Sequence, residues 1–274
     1  MSRIRQAALL VWLALAVAGP LLAPLSFRAQ DRQATLAPPT WSLPPAAAGH
    51  PHWLGTDTFG RDVFSRLLLA SGLSSLLALA MAAPALALAA GVGLAAALSP
   101  AVNTFGRALG EICRSLPWIF VLVAVRAAMP LDAGPLAIAL ALVVLFAAAA
   151  WPVAAWAIYG AARHLVQQDF VQAAVGLGAT RRQILLRHLW PNLRGLVATY
   201  FALLLAAAIG AEVSLELVGL GLPQPWPTWG NMLDPLRDFT VATRCWWLYA
   251  PLLVLVPILL GLTLAAEDRA PTPW

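Results

Sequence analysis

Five stretches of this chain carry no charged side chain: 22 residues between Arg5 and Arg28, 40 between Arg66 and Arg107, 30 between Asp132 and Arg163, 17 between Arg194 and Glu212, and 22 between Arg244 and Glu267. An ionised group at the centre of a bilayer is costly and rare, and about 20 apolar residues in a helix cover a hydrocarbon core of about 30 Å. Each stretch is therefore a candidate membrane span. A weaker sixth, from Ser115 to Leu131, is apolar apart from Arg126 and ends at Met129-Pro130. Arg126 lies near its end, where a long side chain can snorkel to the interface. The spans are expected near residues 7–27, 72–98, 115–131, 135–158, 195–217 and 246–266. The longest run exceeds one crossing, so its start around Leu67 to Leu73 is expected to continue an interfacial helix, and Ser99, Pro100 and Asn103 end it.

Only 11% of the 274 residues are charged and 61% are hydrophobic, against about 25% charged in a soluble domain. The expected fold class is an all-α polytopic membrane protein. All 17 basic residues are Arg, and without Lys there is no GxxxxGK[ST] phosphate-binding loop. The net charge of +5 is an orientation signal in such a chain, and no nucleic-acid partner is expected. With the N-terminus inside, ten Arg fall on inner segments and six on outer ones, which places both termini in the cytoplasm. The N-terminal run behind Arg3 and Arg5 also resembles a signal peptide. It is longer than an ordinary signal core and no clear A-x-A site follows, so it is read as a retained span. Cys113 and Cys245 have no partner at metal or disulfide spacing. His50-Pro51-His52 sits in a Pro-rich connector and reads as a loop, so no metal site is assigned. There is no H-E-x-x-H, no G-x-S-x-G and no His cluster, so no catalytic residue is assigned.

Three segments stand out. The inner loop Tyr159 to Arg194 contains Asp169 with Gln172, and Thr180 with Gln183, each at capping-box spacing. Gly176 and Gly178 suit the end of a first short helix, and Pro191 stops the second or begins the next span. A short helix with Ala173 and Ala174 on its surface has the shape to sit in another protein's groove. Gly55, Asp57, Gly60, Arg61 and Asp62 form a turn leading into a helix with Val63, Phe64, Leu67 and Leu68 on one face, with Asp57 as the expected N-cap. Its role is either an outer-face brace or docking surface, or simple interfacial anchoring. Glu212 and Glu216, one helical turn apart near the outer end of the fifth span, either line an outer vestibule or pair with Arg237, Arg244 or Arg126.

At Gln172-Ala173-Ala174, Gly178, Leu189 and Pro191 the inner loop resembles the EAA loop of binding-protein-dependent ABC importer permeases. Gly55 to Leu67 (GTDTFGRDVFSRL) resembles the GTDxxGRDxxSR stretch of the dipeptide/oligopeptide/nickel permease subfamily. Glu212 to Pro223 and Pro227 to Leu233 resemble its ExSLxxLGLG and PxWGxM segments. The resemblance implies six transmembrane helices of the type I ABC importer permease fold with a cytoplasmic coupling helix. It implies a bacterial inner-membrane subunit paired with a homologous second permease, two P-loop ATPase subunits that hold the ATP and Mg, and an extracytoplasmic solute-binding protein. This chain itself would bind no cofactor and catalyse nothing. The ATPase-coupling residues would be Asp169, Gln172, Ala173, Ala174, Gly178, Arg182 and Pro191, with Arg181, Arg182 and Arg187 facing either ATPase or membrane lipid. The family usually has Glu where this chain has Gln172. The expected organisation is 1–71 for the first span, connector and amphipathic helix, 72–266 for the permease core with its loop 159–194, and 267–274 for a tail. Peptides are the expected substrate, which the sequence does not separate from nickel chelates, glutathione or opines. A rival reading is an ATP-independent secondary transporter, which would favour inverted repeats and broken midplane helices.

Overall fold

The computed structural model describes residues 2–42, 52–130 and 132–267. Pro44, Pro45, His50, Pro51, Leu131 and Arg269 lie outside them. The described residues form helices and no strand. Hydrocarbon offers no partner to a backbone N–H or C=O, so a spanning segment must satisfy its own. Helices α1 (Ser2–Leu22), α2 (Val63–Leu98), α3 (Pro100–Ser115), α4 (Trp118–Ala128), α5 (Pro135–Val166), α6 (Asp169–Gly176), α7 (Arg181–Gln183), α8 (Trp190–Leu217), α9 (Trp229–Leu233), α10 (Phe239–Arg244) and α11 (Ala250–Glu267) follow in order.

The all-α polytopic class is as expected. Among the described residues, Val63–Leu98, Pro135–Val166, Arg181–Leu217 and Trp246–Glu267 are long and apolar enough to cross a membrane, and a bent pair counted as one span brings the number to five, against the six expected. Three expectations are corrected in detail. The interfacial start and the second span are one helix, α2, because no breaker falls between Val63 and Pro84. The third span does not run straight over 115–131: Pro100–Ser115 and Phe120–Ala128 meet at 82°, where Pro117 interrupts the helix and the Trp118 indole donates to the Cys113 carbonyl at 2.8 Å. The first helix ends at Leu22, short of Pro24, and its shorter apolar part is Leu10–Leu22.

Two compact units divide the chain. One comprises Met1–Ala78, Ala133–Ala139 and Ile209–Leu262; the other comprises Leu79–Asp132, Leu140–Ala208 and Thr263–Trp274. Within the first, α1 lies against the start of α2. A Cβ on Gly19 would stand 2.9 Å from the Leu68 carbonyl oxygen, and one on Gly72 would stand 2.4 Å from Pro20 Cγ. Small residues let membrane helices approach this closely, and Trp12 Nε1 donates to Ser75 Oγ at 2.8 Å across the contact.

The second unit has a core of Leu94, Ala97, Ile158, Ala162, Val171, Ile184, Leu189, Leu193 and Val197. It joins the end of α2 to α5, to the 167–190 loop and to the start of α8. Gly93 sets the α2–α5 distance, since a Cβ there would be 2.6 Å from the Ala155 carbonyl oxygen and 3.2 Å from Ile158. The expected result is that Gly93→Val lowers stability by about 1–3 kcal/mol through overpacking. Gly91→Ala, where nothing lies within 4 Å, should raise stability by about 0.5–1 kcal/mol. Thermal unfolding of the two purified variants in detergent checks both signs.

Candidate functional site

The 167–190 loop is built from capping chemistry. Gln168 is the N-cap of α6 and contributes no side-chain cap, so Asp169 is the first helical residue and the expected Asp169/Gln172 capping box does not form. Asp169 instead places its carboxylate in the first turn, where the helix dipole favours it. The Gln172 amide turns back and donates to the Val166 carbonyl at 2.7 Å. Val166 is the last residue of α5, so Gln172 satisfies one of that helix's orphan acceptors. Gly178 (φ +84°) closes α6 in the left-handed region. Gly178 N–H donates to Val175 O at 2.9 Å and Ala179 N–H to Ala174 O at 3.0 Å, the double bond of a Schellman cap.

The second capping box forms as expected. Gln183 N–H donates to Thr180 Oγ1 at 3.3 Å and Thr180 N–H to Gln183 Oε1 at 2.8 Å. Residues Ile184–Leu189 then widen into a π turn that runs directly into α8. Pro191 neither stops the second helix nor opens the next span: it follows the π turn inside a helix that is continuous over Arg181–Leu217.

Buried Val171 and Leu189 anchor the loop in its unit. The opposite side carries exposed Gln172, Ala173, Arg181 and Arg182. The loop also exposes Leu177, Leu186, Phe170 and Val175, at 90%, 52%, 48% and 46%, none of them among the residues expected from the sequence; Val175 stands one helical turn from buried Val171 and on its face. The signal of all four was apolar side chains in a loop with no share in the apolar period of a span.

At the Val63 end of α2 the Gly55 to Leu67 segment meets Gln224, Pro225 and Asn231 in one polar cluster. Asp57 Oδ1 accepts from the Phe59 and Arg61 N–H groups at 2.8 and 3.0 Å, and Oδ2 accepts from Arg61 Nε at 2.7 Å. Arg66 Nε stands 3.7 Å from the same carboxylate. Arg61 reaches Gln224 Oε1 at 2.7 Å, while Arg66 donates to the Pro225 carbonyl and Asn231 Oδ1, each at 3.2 Å. Asp57 is thus a turn and ion-pair centre and not the helix N-cap. Asp62 takes that role, accepting from Ser65 N–H at 2.7 Å. Gly55 and Gly60, at φ +69° and +72°, leave no room for a Cβ, which would fall 2.5 Å from Ala37 O and 1.9 Å from Asp31 O.

Glu212 and Glu216 are buried at 2% and 8% exposure. Neither is open to a passing solute in this conformation, and neither forms an expected Arg pair; Arg237 pairs with Asp234 at 3.3 Å. Glu216 Oε1 accepts from Leu222 N–H at 2.8 Å and from Thr228 Oγ1 at 3.2 Å, pinning the segment between α8 and α9. Neither oxygen of Glu212 has a hydrogen-bond partner, although the Ser74 and Thr228 hydroxyls lie beside it. Among the described residues no three His, Cys, Asp or Glu gather as a metal site.

Residues 87–267 match the family described as the binding-protein-dependent transport system inner membrane component. The chain belongs to this family. The permease is 30% identical over 229 residues to a protein of Brucella suis biovar 1 (strain 1330) named for peptide permease, covering 83% of this chain and 71% of the relative. A second protein of the same strain, named for a peptide transport system permease, is 30% identical over 200 residues, 73% of this chain and 65% of its own. The glutathione transport system permease protein GsiD of Shigella dysenteriae serotype 1 (strain Sd197) is 31% identical over 207 residues, 70% of this chain and 62% of its own. The permease is accordingly a multi-pass membrane protein of a transport system that depends on a binding protein.

Two outcomes follow from the geometry. Replacing buried Arg66 (2% exposed) by Met strands Asn231 and the Pro225 carbonyl and should cost about 3 kcal/mol, whereas Arg237→Met, at an exposed ion pair, should leave the melting temperature unchanged. Gln172→Glu replaces a donor by an acceptor facing the Val166 carbonyl. Hydrogen exchange across 167–178 should speed up roughly five-fold, the loss of about 1 kcal/mol of hydrogen bonding.

Proposed function

We propose that the permease imports peptides, that α6 is its ATPase-coupling helix, and that the 167–190 loop faces the cytoplasm with both termini on that side. The observation that carries this is the exposed face of α6 and its cap. Leu177 stands 90% exposed beside Gln172, Ala173 and Ala174, at the positions where the resemblance puts an EAA loop. An apolar face of this kind needs a covering partner, and the cytoplasmic P-loop ATPases of such systems supply a groove. Asp169 and Arg182 give that contact a polar edge, and Pro191 joins the loop rigidly to α8. ATP and Mg belong to the two ATPase subunits, this chain being a non-catalytic path for solute beside a homologous second permease. The names of its relatives, for peptide and for glutathione, itself a short peptide, support a peptide substrate delivered by an extracytoplasmic solute-binding protein. On this reading the Asp57, Arg61 and Arg66 cluster lies on the outer side and keeps the segment after α8 in place while the spans move.

Coupling by rigid movement of a short capped helix makes Gly178 the sensitive point. A side chain there meets no clash, since nothing lies within 4 Å of a Cβ, but it must hold φ +84°, at a cost of roughly 1–2 kcal/mol. Purified from its native cell, the chain should bring down a second permease and two P-loop ATPases. In liposomes, ATP hydrolysis should rise with peptide-loaded binding protein. Gly178→Asp should remove that stimulation while leaving complex recovery within about two-fold. Peptide uptake that persists with no ATPase subunit present would overturn the proposal.

A further inference from the structure

We propose that the polar stripe of α3, made by Arg107, Glu111 and Arg114, lines a water-filled part of the solute path at membrane depth; this rests on the chain being a path for peptides. α3 has three faces. Gly106, Gly110 and Cys113 are buried, and a Cβ on Gly110 would stand 3.1 Å from Trp156 Nε1 and 3.5 Å from Pro152 Cβ, so this face packs on α5. Phe105, Leu109 and Ile112, exposed at 71%, 40% and 57%, form an apolar face suited to lipid. Arg107, Glu111 and Arg114 form the third, and all three are exposed.

Contacts with α5, within the same unit, give the depth of this stripe. The Arg107 guanidinium lies 5.3 Å from the Trp156 ring centre and 5.5 Å from that of Tyr159, while Gly110 meets Trp156 and Pro152. α3 thus climbs along α5 away from Arg163. Trp156 and Pro152 precede Arg163 by 7 and 11 residues, which puts Gly110 roughly 10–16 Å from it. The charge-free run from Asp132 to Arg163 holds 30 residues, about 45 Å of helix. A hydrocarbon core of about 30 Å centred in that run begins roughly 8 Å from Arg163. Glu111 therefore lies inside the core and Arg114 one turn deeper. Among the described residues neither has an ion-pair partner. Ionisable side chains at this depth face a bundle interior or a water-filled cavity, and exposure leaves the water. The backbone gives a second reason. α3 ends at Ser115, and the non-helical residues Leu116 and Pro117 that follow are exposed. Backbone outside a helix is tolerated at membrane depth where it is buried in protein or lines a water-filled cavity, so the break asks for water as the stripe does. Glu212 and Glu216, the charged groups that the sequence suggests for this role, are buried instead. A guanidinium, a carboxylate and a guanidinium on successive turns match the two charged termini of a peptide.

Single-cysteine variants of the complete transport complex in lipid nanodiscs test this, with Cys113 and Cys245 replaced by Ala and a membrane-impermeant methanethiosulfonate bearing a trimethylammonium group as the probe. Glu111→Cys and Arg114→Cys should react at least about ten-fold faster than Phe105→Cys and Ile112→Cys, because the reactive thiolate forms in water and not in hydrocarbon. Recovery of the complex shows that the variants fold. Moved into proteoliposomes after labelling, the 111 and 114 variants should lose ATP-driven peptide uptake, and dithiothreitol, which removes the label, should restore it; the 112 variant should be indifferent to both. Labelling at 111 and 114 as slow as at 105 and 112 overturns the proposal. So does rapid labelling that leaves uptake unchanged at both positions, since it marks an aqueous surface away from the path. Uptake that persists with no ATPase subunit overturns the importer reading instead and leaves the labelling pattern as expected.

Discussion

Arg66 has almost no contact with water, and the arrangement of the chain around the Val63 end of α2 follows from that. A guanidinium removed from solvent has to recover its lost hydration from fixed acceptors, and α2 alone supplies none. The acceptors come from three separated segments: the Asp57 carboxylate, the Gln224 amide with the Pro225 carbonyl, and the Asn231 amide. The fixed fork of Arg suits this task, because several planar donors leave one side chain in set directions. The glycines of the 55–62 turn serve the same end by letting backbone approach backbone, and the Thr228/Asn231 capping box orients the amide that Arg66 needs. Asn231 is both a cap and an ion-cluster ligand, which couples the folding of a five-residue helix to a charge buried on α2.

The 167–190 loop solves a different problem with weaker forces. A helix of eight residues is far below the length at which helices persist in water. It is held at its start by the Gln172 amide on the end of α5, at its end by the left-handed Gly178, and from below by Val171 and Leu189 in an apolar core. The consequence is a rigid face with Leu177 at its edge, fixed to two long helices at once. At position 172 the group that holds the helix is an amide N–H on the Val166 carbonyl, a donor that a carboxylate of the same size would lack.

The charge-free runs made the all-α polytopic class, the position of the apolar segments and the capped loop legible, because exclusion of charge from hydrocarbon and the φ demand at Gly178 are local rules that act on neighbouring residues. Thr180 with Gln183 is the same case: a bond between residues three apart is readable as spacing. Asp169 with Gln172 has that spacing too, yet the tertiary structure began the helix one residue earlier and gave Gln172 a different acceptor. What only the tertiary structure decided is which distant groups share a dry site. That Asp57, Arg61 and Arg66 meet Gln224, Pro225 and Asn231 depends on contacts between residues some 160 positions apart in the chain. Sequence spacing carries no record of those distances, because the balance between desolvation and hydrogen bonding that selects them is settled only once the helices have packed.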